Sequence, residues 1–232
     1  MTRQEYINGI AEIYSVVKLL SRKNGCEVIR LRHKKLGKDM VLHSLPDNAE
    51  IYKFLLNISC DNLPQIYDVI ACDDGQIVLE EFIEGITVTQ VLESGKYNFG
   101  GIKKVVSGIC TALDILHGNG FVHRDIKPDN VIIGSDGKVV LIDFNTVRKA
   151  ENIKDTVVMG TVGYASPEQL GVAECDARSD IYAIGVLINV MATGVHPSQK
   201  LAKGKVGRIV KKCTDINPDN RFNSVLALLK AL

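Results

Sequence analysis

The stretch FVHRDIKPDNVII, residues 121–133, sets five polar side chains between two apolar runs. Apolar runs bury themselves, so His123, Arg124, Asp125, Lys127 and Asn130 must lie against a core. Polar groups held there are either well hydrogen-bonded or set aside for chemistry. A carboxylate, an ammonium group and a carboxamide in one short loop are residue types that serve proton transfer, charge stabilisation and coordination of a hard cation. A second carboxylate, Asp143, ends the next apolar run, KVVLI. Each has a plainer use when taken alone: Asp125 as a cap or turn residue, Asn130 as a turn residue, Asp143 as a strand-end acid.

The elements that must position this loop are legible in the periodicity. Residues 101–117 put Ile102, Val105, Val106, Ile109, Leu113 and Leu116 on one helical face, with Gly118 and Gly120 to end it. After the loop come VII, the turn GSDG and KVVLIDF, which read as a tight hairpin. The longest apolar run, residues 181–194, is too short to span a bilayer and reads as a buried helix. The remainder from about Asp180 reads as helical. The first third is strand-rich. A short amphipathic helix is expected over 3–14, then strands in SVVKLL, CEVIRLRH and DMVLHSL. Their turns include Asn24-Gly25, a hairpin signal. A helix containing Glu50 fits within 47–57, and QIYDVIAC with QIVLEEF makes a further hairpin. The predicted class is α+β in two lobes: a small antiparallel β-sheet lobe with one helix, residues 1–84, and a larger mainly α-helical lobe, residues 85–232.

Composition narrows the function classes. The 232 residues are 46% hydrophobic and 24% charged with a net charge of +1, as in an ordinary globular protein. Bulk charge argues for no particular partner, and no nucleic-acid partner is expected. The charges are nonetheless uneven: eight Lys/Arg and one acid lie between Lys18 and Lys38, and eleven acids against Lys53 and Lys96 lie between Asp39 and Gly100. Solvated hairpin faces account for this more simply than a polyanion site. Six cysteines, none in CxxC spacing, suggest neither zinc nor a redox motif. Free thiols point to a cytoplasmic location. MTRQEYINGIAEIY is not a signal peptide, and no membrane partner is expected.

HRDIKPDN resembles the catalytic loop of protein kinases. IDFN stands where that family has its metal-binding DFG, GTVGYASPE (160–168) resembles the end of the activation segment, SDIYAIGV the buried helix that follows, and NPDNRF (217–222) the late arginine motif. Five motifs in the family's order cover nearly the whole chain, which is a specific signal. Lys127 and Thr161 match the Ser/Thr protein kinases, with a bacterial flavour in YASPEQ.

The resemblance implies one kinase-like domain, ATP and Mg²⁺ as cofactors, and a protein hydroxyl as acceptor of the γ-phosphate. In the catalytic set it implies, Asp125 accepts or orients the hydroxyl proton and Lys127 contacts the transferring phosphoryl group. Asn130 and Asp143 hold the metal, and Thr161 completes the set. Leu20, Val28, Val41 and Ile132 would surround the nucleotide base, and Glu81 and Ile83 would offer backbone contacts. His43 and Glu50 would stand at the phosphate-anchoring pair. His123, Arg124, Glu168, Asp180 and Arg221 would be structural, with Asp180 bonded to the loop from below and Glu168 paired with Arg221. Thr156 is either a phosphosite whose phosphate Arg124 would receive or an unmodified surface threonine.

Four departures from the family pattern bear on function. His43 replaces the expected lysine; its unperturbed pKa of about 6.5 leaves it largely neutral at pH 7. It would either contact phosphates weakly or pack against Glu50. Ser21, Lys23 and Cys26 occupy three glycine positions of the nucleotide-covering loop, and only Gly25 is present; Lys23 and Arg30 are the candidate replacement cations. Asn145 replaces the DFG glycine, a mild change because Asn tolerates left-handed backbone. Between His196 and Arg208 lies only PSQKLAKGKVG, where the family places a docking helix. Lys200, Lys203, Lys205, Arg208, Lys211 and Lys212 there form a docking patch or a solvated face. Glu80 is an unusually polar residue at the gate to the rear pocket. The preferred reading is a Ser/Thr protein kinase with weakened ATP anchoring. The alternatives are a pseudokinase scaffold and, more remotely, a small-molecule kinase.

Overall fold

The computed structural model describes residues 1–23, 25–47, 50–150, 160–171 and 175–232. It divides into two compact units, Met1–Cys60 with Pro64–Ile83, and Asp61–Leu63 with Glu84–Leu232.

The first unit is built on a five-stranded antiparallel sheet of β1 (Tyr14–Lys23), β2 (Cys26–His33), β3 (Asp39–Leu45), β4 (Ile66–Cys72) and β5 (Gly75–Glu81) in the order β1-β2-β3-β5-β4. The expected β1–β2 turn falls at Gly25, whose φ of 76° is left-handed, whereas Asn24 lies outside the described residues. Alternating apolar side chains Ile29, Leu31, Leu42, Ile77 and Leu79 form one core. Tyr6, Ile7 and Ile10 pack on it from the N-terminal segment. That segment is shorter than expected: α1 (Arg3–Gly9) starts on a Thr2–Glu5 capping box and gives way to a 3-10 turn over Ile10–Glu12. The helix expected within 47–57 is α2 (Glu50–Leu55), which buries Ile51, Tyr52 and Leu55. β1 is an edge strand with two register shifts, and most of it is exposed.

The second unit is mainly helical. Its small sheet is β6 (Gly85–Thr87), β8 (Val131–Gly134) and β9 (Val139–Leu141) in the order β6-β8-β9, while β7 (Phe121–Val122) pairs with β10 (Arg148–Lys149). Asp61–Leu63 belong here because Asn62 Nδ2 donates to Val139 O at 2.7 Å and Asn62 O accepts from Leu141 N at 3.0 Å. A helix the periodicity had not suggested, α3 (Val88–Ser94), starts on a Thr87–Gln90 capping box. The apolar stripe becomes α4 (Phe99–Gly118), capped by Asn98, with all six stripe residues buried. The hairpin strand is shorter than KVVLIDF, because the chain leaves the ladder after Leu141. The helices after the loop are α5 (Pro167–Leu170), α6 (Ala177–Thr193), α7 (Gly204–Cys213) and α8 (Val225–Ala231). Packing of α6 on α7 demands Gly185: a Cβ there would lie 2.3 Å from Cys213 Cβ. No described helix is long and apolar enough to cross a membrane.

Candidate active site

The polar loop leaves β7, passes through Arg124 in left-handed backbone at φ 71°, and closes in a 3-10 turn over Pro128–Asn130 before β8 begins. Such a conformation costs a non-glycine residue about 1–2 kcal/mol unless its surroundings hold it. Asp180, fully buried on the first turn of α6, does so. Its Oδ2 accepts from His123 N at 2.9 Å and its Oδ1 from Arg124 N at 2.7 Å. His117 Nε2, near the end of α4, adds a third contact to Oδ2 at 2.8 Å. Burial alone would raise the Asp180 carboxyl, but the His117 hydrogen bond and the surrounding donors outweigh it and hold it below the usual range. Gln169 Nε2 on α5 donates to Arg124 O at 2.9 Å. Thr146 Oγ1 donates to His123 O at 2.9 Å. The His123 ring is buried edge-on against Phe144, and burial pushes its pKa down despite the nearby carboxylates.

This frame presents Asp125 as the centre of a closed network. Lys127 Nζ donates to Asp125 Oδ2 at 2.6 Å and to Thr161 Oγ1 at 2.8 Å. Thr161 Oγ1 donates in turn to Asp125 Oδ1 at 2.6 Å. Asn130 Nδ2 donates to Asp125 O at 2.9 Å and to Oδ2 at 3.0 Å. Burial works against the charge on Asp125, but the Lys127 and Thr161 hydrogen bonds prevail and keep its pKa below the ordinary value. Asp125 is therefore an ionised carboxylate at neutral pH. Asp125, Lys127, Asn130 and Thr161, set as much as 36 residues apart, meet at one point.

The hairpin brings the backbone that immediately precedes Asp143 to Asn130. Val131 pairs with Leu141, and Ile142 N donates to Asn130 O at 2.9 Å. Asn130 commits its amide nitrogen to Asp125, which fixes the flip of the carboxamide and turns its oxygen the other way. A carboxamide oxygen and a carboxylate, with phosphate and water oxygens to complete the shell, fit Mg²⁺. Among the described residues no group of three or more His, Cys, Asp and Glu could hold a metal by itself. The left-handed residue of this segment is Asp143, at φ 67°; Asn145 N donates to Asp143 Oδ1 at 3.4 Å. The backbone turns at the carboxylate, so the substitution at 145 falls where no special conformation is required.

Glu168 and Arg221 form a two-pronged pair at 2.6 and 2.8 Å, and Ser179 Oγ donates to Glu168 Oε1 at 2.8 Å. Burial would raise Glu168, but Arg221 holds it below its usual value. Thr156 lies outside the described residues.

In the first unit, His43 is 4% exposed and its Nε2 lies 2.7 Å from Glu80 Oε1. His43 is thus the partner of Glu80. The Tyr52 ring lies 5.8 Å from the imidazole. Glu50 begins α2 and is exposed. Arg30 is engaged by Asp39, with Nε at 2.6 Å, and lies 4.0 Å over the Phe82 ring. Lys23 is exposed at the end of β1. Leu20 is exposed on β1, Val28 sits opposite His43, and Val41 sits opposite Glu80. Glu81 N donates to Gln65 O at 2.8 Å, and Ile83 is half-buried. Ile132, on β8 of the second unit, pairs with Val140.

The sequence model described as the protein kinase domain matches residues 12–227. The chain belongs to the protein kinase family. The expectation drawn from the five motifs is met, and so is the α+β class. Relatives within the family include a probable serine/threonine-protein kinase of Clostridium acetobutylicum, 27% identical over 236 positions that cover 87% of this chain and 36% of that protein. The serine/threonine-protein kinase PknL of Mycobacterium tuberculosis is 38% identical over 139 positions, 58% of this chain and 35% of its own. An Aurora kinase of Candida glabrata is 30% identical over 219 positions, 88% and 60% respectively. The chain thus spans little more than a third of these bacterial relatives. His117, Gln169 and Thr146, which secure the kinase loop, carried no sequence signal, because each acts on a backbone atom or a carboxylate far along the chain.

Proposed function

We propose that this chain is a Ser/Thr protein kinase domain that transfers the γ-phosphate of ATP to a serine or threonine hydroxyl of a protein substrate in the cytoplasm. The observation that carries the reading is the Asp125 carboxylate clasped by Lys127, Thr161 and Asn130. A substrate hydroxyl beside Asp125 is oriented by that carboxylate and passes its proton to it as transfer proceeds. Lys127 Nζ, positioned by Asp125 and Thr161, stabilises charge on the moving phosphoryl group. Asn130 Oδ1 and the Asp143 carboxylate are the groups that would hold Mg²⁺, which would supply neutralisation of charge on the phosphates. Asp180 keeps Arg124, and hence Asp125, in place.

The pseudokinase reading has one observation in its favour. His43 is buried against Glu80, so the residue expected at the phosphates is engaged elsewhere. Radiolabelled autophosphorylation with Mg-ATP separates the two. Labelling that disappears in Asp125→Asn supports the kinase; an Mg-dependent thermal shift with ATP but no labelling supports the pseudokinase.

A further inference from the structure

Away from the catalytic loop, the second unit holds a cavity of about 330 Å³ lined by Lys96, Lys200 and Lys203, with Ala192, Leu201 and Val206 supplying apolar surface. It contains no lining carboxylate. Among the described residues none of these three lysines makes an ion pair, whereas Arg30, Arg32, Lys127, Arg178 and Arg221 all do. Three lysines around one cavity whose lining holds no carboxylate raise the local potential for an anion.

The walls are preformed. Asn189 on α6 is fully buried, and its Nδ2 donates to Val195 O at 2.9 Å and Lys200 O at 2.8 Å. Its Oδ1 accepts from Ala202 N at 2.8 Å. One side chain thereby pins both ends of the loop that carries two of the lysines. A Cβ on Gly207 would lie 2.0 Å from Ala202 O, so glycine lets α7 close against the same loop. Lys96 reaches the cavity from the α3–α4 connection, and its Cε would lie 3.2 Å from a Cβ on Gly194. Fixed walls lower the cost of ordering a ligand.

We infer that this cavity binds a small phosphate-bearing ligand through Lys96, Lys200 and Lys203. The volume sits at the lower end of small-molecule sites, which run from about 300 to 1,000 Å³. Lysine ammonium groups are point-charge phosphate binders that do not require a planar carboxylate partner. The assignment stands independently of the phosphotransfer reading.

The test is a titration of the ¹⁵N-labelled domain with pyrophosphate, followed by amide shifts at low ionic strength. Amides of residues 192–206 are expected to move saturably, separately from any movement near Asp125 and Asp143. The triple variant Lys96→Gln/Lys200→Gln/Lys203→Gln, whose melting temperature should stay near that of the parent because all three side chains are exposed, is expected to bind about tenfold more weakly or worse at this site. The matching triple arginine variant should retain binding. The inference fails if those amides do not respond to millimolar pyrophosphate, or if they respond equally in the glutamine variant. It also fails if a polyglutamate peptide moves them where pyrophosphate does not, which would make the site a docking point for acidic protein.

Discussion

Replacing Asp180 by alanine removes the acceptor shared by the His123 and Arg124 amides. The carboxylate takes His123 N, Arg124 N and His117 Nε2 at 2.9, 2.7 and 2.8 Å, and it is fully buried. His123 and Arg124 are themselves only 0% and 2% exposed, so water cannot replace the lost acceptor. Each stranded buried donor costs about 1–3 kcal/mol. The two backbone donors plus the lost hydrogen bond with His117 give about 4 kcal/mol for Asp180→Ala. This is a large share of the about 5–15 kcal/mol that holds a domain together. Asp180→Asn keeps one acceptor oxygen but turns an NH₂ toward a donor, which costs about 2 kcal/mol. At about 2–4 °C per kcal/mol for a chain of this size, the alanine variant should melt about 10 °C lower. Urea denaturation gives the free energies, and amide exchange at His123 and Arg124 reports the local opening. Asp61→Asn, at an exposed ion pair with Lys138, should move the midpoint by less than about 0.5 kcal/mol. If Asp180→Ala lies within about 1 kcal/mol of the parent, with slow exchange at both amides preserved, the view that this carboxylate holds the strained loop is wrong.

Three further outcomes follow from the same geometry. Thr161→Val removes the hydroxyl that joins Lys127 to Asp125 and should lower kcat about 10- to 100-fold, whereas Thr161→Ser retains most activity; equal losses in both would point to the methyl group instead. Asp125, Glu168 and Asp180 all have carboxyls held below their ordinary values, so their contribution is complete above the unfolded carboxylate range of about pH 4. It is lost as pH falls through the depressed values, because the unfolded chain then binds the protons first. Melting temperature should therefore fall steeply below about pH 4, and Arg221→Leu should remove part of that slope. His43→Lys returns a long cation to β3; if position 43 limits phosphate anchoring, KM for ATP should fall, and an unchanged KM would show that the limit lies elsewhere.

Periodicity and motif order were enough to locate the loop, the helix stripe from Ile102 to Leu116 and the strands of the first unit, because those signals depend on neighbours within a few residues. The same local signals misjudged smaller matters. α3 went unseen because its start is a capping box rather than an apolar stripe. The tolerance of asparagine for left-handed backbone, weighed at Asn145, is not called on, because the left-handed residue is Asp143.

By itself the sequence determined that an acid, a lysine, a carboxamide and a second acid would be available on one loop and one hairpin end, and that these resemble a kinase set. Only the tertiary structure decided their partners. Glu80 finds His43 because β3 and β5 lie side by side, 37 residues apart in the chain. Asp180 finds His117 across 63 residues because α4 and α6 pack together, and Lys96 joins Lys200 and Lys203 around one cavity for want of any local rule that could bring them there. Charge and hydrogen-bonding capacity belong to the residue; which buried group satisfies them depends on which elements the core brings into contact.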